Sequence, residues 1–102
     1  MKRQPNTDAS GKPFSQGMID AVWNKARPLP DFDPNVTRTE SCCARIDKAD
    51  YGKTTQHGWE IDHVKPVSEG GTDDLSNLQP LHWENNRAKG DDWPHWAYAK
   101  RY

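Results

Sequence analysis

At 102 residues and a formal net charge of −1, the chain has the size of one domain and lacks the strongly basic balance of a non-specific nucleic-acid binder. Only 32% of its residues are hydrophobic and the mean hydropathy is −1.14, so the core is small, and no run of about 20 apolar residues exists to cross a membrane. The charge is uneven: residues 1–30 carry five basic and two acidic side chains, residues 31–84 five and eleven, residues 85–102 four and two. An acidic middle between basic flanks is compatible with a divalent cation and phosphate contacts around it, though on charge alone an ordinary mixed surface is the preferred reading.

The opening stretch, residues 1–13, is polar and reads as a flexible arm, with residues 14–102 as the single domain. It has no apolar segment of the secretory kind, so the expected location is the cytoplasm. "FSQGMIDAVWNKARPLP" follows and reads as a helix. Ser15 is placed to cap it, Met18, Ile19, Val22, Trp23 and Ala26 share one face, and Phe14 can staple onto Ile19. Pro28 and Pro30 end it.

Residues 31–41 read as a connecting loop. "CCARIDKADYG" predicts a short strand in which Ala44 and Ile46 alternate with Arg45 and Asp47, and "YGKTTQHG" is a turn, giving a hairpin before residue 58. The two cysteines, Cys42 and Cys43, are neighbours; bridging them would strain the peptide between, so they read as reduced structural thiols. Two sulfurs alone do not make a four-ligand zinc site.

"WEIDHV" is a better strand, with Trp59 and Ile61 on one face and Glu60 on the other, expected in a structural ion pair; Pro66 ends it. "SEGGTDDLSN" is a turn-rich loop bending at Gly70-Gly71, with Thr72 as cap of one helical turn. "LQPLH" is short and extended. "WENNRAKG" is a short helix stopping at Gly90, with Trp83 in the core, and "DDWPHWAYAKRY" predicts one more. In a chain so poor in aliphatics, Trp93, Trp96, Tyr98 and Tyr102 read as core rather than as base-stacking platforms. His57 and His95 read as packing or surface residues.

The resulting order of strand, loop, strand and helix makes a very small unit, of the kind that a metal or outside packing normally stabilises. Within it the chain folds back so that Asp62, His63 and Asn86 are expected to converge, with Asn77 fourteen residues after His63 and nine before Asn86. The run "EIDHVKPVSEGGTDDLSNLQPLHWENNRAKGD", inside residues 58–91 and one third of the chain, resembles the HNH endonucleases. It carries Asp-His, a proline after a short gap, Gly-Gly, Asn-Leu, and Asn followed by a basic residue. The preceding stretch from Cys42 resembles, more weakly, the flank of small phage and bacterial members.

The resemblance implies an α+β fold, a small ββα-metal (His-Me finger) core over about 58–91 with flanking helices. It also implies DNA phosphodiester hydrolysis, with RNA as an alternative substrate. His63 would be the general base that takes a proton from water, and Asn77 would fix its orientation. One divalent metal, held by Asp62 and Asn86, would stabilise charge on the phosphate and the leaving oxygen. Asn stands where the eponymous third histidine is found, with Asn85 the neighbouring choice. The oxygen-rich donor set favours Mg²⁺ or Mn²⁺ over Zn²⁺, and the paired CxxC knuckles of many members are missing. His82 is a candidate further ligand or phosphate contact, against a helix-start hydrogen bond. Arg87 and Lys89 are candidate DNA-backbone contacts, against ordinary solvated charges. In a regular strand Asp62 and His63 would point to opposite faces, so sharing one site calls for a bend. No membrane partner is expected, and a monomer or weak homodimer is.

Two other readings follow from the same residues. One is a non-catalytic nucleic-acid-binding module on this fold. The other is a zinc-stapled structural domain using Cys42, Cys43, His57 and His82.

Overall fold

A computed structural model describes residues 3–94. Two helices and two antiparallel sheets give an α+β architecture. Helix α1 spans Gln16–Trp23, and strands β1 (Arg27–Pro28), β2 (Thr37–Thr39) and β3 (Arg45–Asp47) form a three-stranded sheet in that order. Strands β4 (Trp59–His63) and β5 (Leu78–His82) form a separate two-stranded ribbon, and helix α2 (Trp83–Lys89) follows directly from β5. Among the described residues no helix is long and apolar enough to cross a membrane.

Helix α1 begins as its sequence dictates. The Ser15 hydroxyl accepts from the Met18 backbone N–H at 3.1 Å, satisfying one of the donors a helix start leaves orphaned. Val22 and Trp23 are fully buried, and Phe14, Met18 and Ile19 pack on the same cluster. That cluster adds Ala26, Ile46, Trp59, Ile61 and Leu78, so it joins α1, the three-stranded sheet and the ribbon. Trp59 is its centre, with ring centroids 5.5 Å from Trp23 and 4.9 Å from Tyr51. In a chain with few aliphatics, two indoles and a phenol supply the area that Leu and Ile supply elsewhere.

Ala44 and Ile46 are buried while Arg45 and Asp47 are half-exposed, the alternation expected of β3. The hairpin expected from the turn at residues 51–58 is not the one made: β3 pairs with β2, which lies in the stretch expected to be loop. Three residues of β2 are too few for a period-2 pattern to stand out, and Thr37 and Thr39 are buried through hydroxyls that bond Asp47 and the Ala44 carbonyl. The one-turn 3₁₀ helix at Leu75–Asn77 starts from Asp74, not Thr72. Thr72 instead accepts the Asp74 backbone N–H from two residues back.

Residues 3–13, the expected arm, are tied to the ribbon and its loop. The Ile61 backbone N–H donates to Asn6 Oδ1 at 2.8 Å, and the Ala9 N–H donates to both carboxylate oxygens of Asp73. The short helix expected from Asp91 onward, with His95, Trp96, Tyr98 and Tyr102, falls largely outside the described residues.

The loop between β4 and β5 shows why its sequence reads Gly-Gly. Gly70 has φ +89°, the left-handed conformation, and a Cβ at Gly71 would stand 1.7 Å from the Lys65 carbonyl oxygen. Gly71 N–H bonds the Pro66 carbonyl at 2.8 Å, so the chain doubles back on itself without room for a side chain.

Candidate functional site

Every residue of β4 is buried. The strand pairs with β5 in register Glu60 with Leu81, Asp62 with Gln79 and His63 with Leu78. Period-2 alternation sends Trp59 and Ile61 into the core and Glu60 and Asp62 towards α2. That leaves two carboxylates facing a helix whose residues answer them one by one.

Glu60, 1% exposed, accepts from Asn86 Nδ2 at 2.9 Å and from Arg87 Nη2 at 3.0 Å. The structural ion pair expected of it is therefore made, with Arg87. Asp62, 5% exposed, accepts from Gln79 Nε2 at 2.9 Å and from Lys89 Nζ at 3.2 Å. Burial pushes its carboxyl above the usual carboxylate range, and the Gln79 hydrogen bond and Lys89 charge pull against that.

His63 closes the strand and turns the other way. Its Nε2 lies 2.8 Å from Asp73 Oδ1, and its ring sits 6.0 Å from that of Phe14. The opposite facing expected of Asp62 and His63 is therefore what the strand adopts. Both nonetheless line one cleft of about 990 Å³ with Glu60, Asn86, Arg87 and Arg3. Convergence comes from the cleft wrapping the strand end, without the two side chains meeting.

Asn77 accepts the Lys65 N–H at 2.9 Å and donates to the carbonyls of Lys65 (3.1 Å) and Thr72 (2.8 Å). It pins the loop that follows His63, and its side chain touches the backbone rather than the imidazole.

The adjacent asparagines separate cleanly. Asn85 is fully buried and donates to Glu40 Oε2, on the far side of α2 from Glu60, whereas Asn86 faces the cleft. Asn86 Oδ1 accepts no hydrogen bond among the described residues. Each Asp62 oxygen accepts one and keeps a second lone pair. A carboxylate and a free amide oxygen on one cleft are donors that fit a hard divalent cation of the Mg²⁺ or Mn²⁺ type.

Two expected roles differ from what the fold does with the residues. Lys89 is 3% exposed, and its ammonium bonds Asp62 and the His63 carbonyl, so its charge is spent inside the fold rather than offered to a DNA backbone. Arg87, with a side chain 51% exposed and lying over the Trp83 ring, keeps its outer face in the cleft. Trp83 itself is half-buried and outside the core cluster.

His82 is fully buried and serves the helix start: its Nδ1 accepts the Glu84 N–H at 3.1 Å, and Nε2 lies 2.7 Å from the Gln56 carbonyl. With both nitrogens engaged it has no lone pair for a metal. Among the described residues no three His, Cys, Asp or Glu side chains group to hold an ion, so Cys42, Cys43, His57 and His82 do not assemble a zinc staple. Both cysteines are free thiols.

Sequence reasoning missed the partners: Asp73 on His63, Gln79 on Asp62, and Glu40, which accepts from the Ala44 and His82 backbones and from Asn85. Gln79 was recoverable, since pairing Trp59 with His82 puts it opposite Asp62. Glu40 and Asp73 carry no periodic signal.

A family model described as HNH endonuclease matches residues 42–92, half of the chain. No curated protein and no solved structure matched.

Proposed function

Because the chain belongs to the HNH endonuclease family, which ties it to nuclease-type chemistry on nucleic acid, we propose that it is a metal-dependent endonuclease that hydrolyses DNA phosphodiester bonds. The observation that carries this reading is the shared cleft of Asp62, His63 and Asn86, floored by β4 and walled by α2.

The backbone of a nucleic acid enters the cleft along its cationic rim, where Arg3 and Arg87 line the wall and supply phosphate contacts. His63, as neutral imidazole, takes a proton from a water molecule. The electron pair so released on the water oxygen forms the new bond to phosphorus, and the bond to the departing oxygen breaks with its pair leaving on that oxygen, which is then protonated from solvent. Asp62 and Asn86 hold the divalent cation, Mg²⁺ or Mn²⁺. When bound, that cation supplies positive charge against the growing negative charge of the phosphate and the leaving group. Asn77 keeps the loop after His63 in place, and Lys89 fixes the Asp62 carboxylate and the His63 carbonyl together. One site per chain cuts one strand, so a monomer nicks.

Plasmid DNA incubated with the protein and Mg²⁺ or Mn²⁺ tests this. Nicked product that disappears with EDTA is the expected result. Intact plasmid in every divalent metal, from folded protein that still retards DNA on a gel, would favour the non-catalytic binding module.

A further inference from the structure

The residue that holds His63 is not Asn77. Among the described residues the Asn77 side chain bonds only backbone groups of Lys65 and Thr72, whereas Asp73 Oδ1 stands 2.8 Å from His63 Nε2. An ionised carboxylate can only accept a hydrogen bond, so the proton between the two is carried by Nε2. In the neutral ring the lone pair is then on Nδ1, which makes no hydrogen bond among the described residues. Asp73 is itself anchored, since both its oxygens accept from the Ala9 backbone N–H, at 3.0 and 3.1 Å. The arm thus orients the carboxylate, and the carboxylate orients the ring.

We propose that Asp73 is the positioning residue of His63. Its carboxylate fixes the Nε2–H tautomer and makes Nδ1 the atom that takes the proton from water. This rests on reading His63 as the general base. The stoichiometry is unchanged: Nδ1 gains the proton of water as the water oxygen bonds phosphorus and the departing oxygen leaves with its electron pair. Asp73 does not line the cleft and acts only through the ring, as carboxylates behind ligand or catalytic imidazoles do.

The test is the ring ¹⁵N spectrum of ¹⁵N-histidine protein in EDTA above pH 8, with His63 identified by its loss in His63→Ala. The wild type is expected to show Nε2–H, and Asp73→Ala a shift to the other tautomer or a mixture. Asp73→Asn, which keeps an acceptor oxygen, is expected to restore Nε2–H. On plasmid under single-turnover conditions, Asp73→Ala is expected to lose about 10–100-fold in cleavage rate and Asp73→Asn to recover part of it. An Nδ1–H tautomer in the wild type overturns the proposal without any variant. So does an unchanged tautomer and rate in Asp73→Ala. Failure of the underlying reading looks different: His63→Ala would cleave as fast as wild type, whatever the tautomer.

Discussion

Lys89 pairs with a buried carboxylate, and Lys89→Ala measures what that pair contributes. The ammonium and the Asp62 carboxylate are 3% and 5% exposed, 3.2 Å apart, and the same ammonium bonds the His63 carbonyl at 3.2 Å. Removing it leaves a buried carboxylate with Gln79 as its one remaining side-chain partner among the described residues, and burial already raises the Asp62 pKa with Lys89 in place. Breaking one half of a buried pair costs about 3–5 kcal/mol, because the other charge stays behind uncompensated. For a domain near 100 residues each kcal/mol lowers Tm by roughly 4–8 °C, so Tm falls by at least about 12 °C. The assay is thermal and urea unfolding in EDTA, followed by tryptophan fluorescence. A neutral amide needs no counter-charge, so Lys89→Ala combined with Asp62→Asn is expected to be more stable than Lys89→Ala alone. Equal losses in the single and double variants would refute the pairing as the source of the effect, and a loss under about 1 kcal/mol would refute its burial.

Gly71→Ala should cost about 1–3 kcal/mol and lower cleavage, because the new Cβ meets the Lys65 carbonyl at 1.7 Å and that carbonyl also accepts from Asn77; a wild-type urea midpoint would contradict the close approach. Asn85→Ala is expected to lower Tm through the buried Glu40 network while its folded fraction still cleaves, and Asn86→Ala to lose cleavage and also some Tm, because its Nδ2 donates to buried Glu60; folded Asn86→Ala that cleaves while folded Asn85→Ala does not would assign the cleft to Asn85. Stability should also have an alkaline limb. Burial, then Glu40, pushes the Cys42 thiol up to about 11 from 9.0, and burial, then Glu60, pushes Tyr51 up to about 12 from 10.0. The folded state therefore keeps both neutral where the unfolded chain ionises. Their contribution is whole below about pH 9 and is lost as pH rises through about 11 to 12. Urea midpoints against pH should fall less steeply in Cys42→Ser/Tyr51→Phe than in wild type, and parallel curves would remove these two groups as the cause.

What the sequence made legible were the elements with either a strong period or a distinctive residue string. Ser15 before an apolar face marks α1, and Ala44 and Ile46 alternating with charge mark β3. Asp-His, Gly-Gly and Asn-Arg place β4, its loop and α2. What stayed hidden depends on contacts between residues far apart in the chain. Strand β2 is buried through threonine hydroxyls that look polar in a sequence. Lys89 reads as a surface cation because nothing local says that Asp62, 27 residues earlier, will be buried beneath it. The helical spacing of Asn86, Arg87 and Lys89 brings all three to the β4 carboxylates, but which one remains exposed is decided by the depth of the strand. Asp73 on His63 is of the same kind: ten residues and a doubled-back loop separate them.

The central claim is that His63 takes the proton from water in a metal-dependent phosphodiester cleavage. The most direct test is single-turnover nicking of supercoiled plasmid by wild type and His63→Ala in Mg²⁺ and Mn²⁺, with equal folding verified by circular dichroism. Loss of a positioned general base is expected to lower the rate by about 10²–10⁴-fold, with plasmid binding retained. A His63→Ala protein that nicks at the wild-type rate would contradict the account.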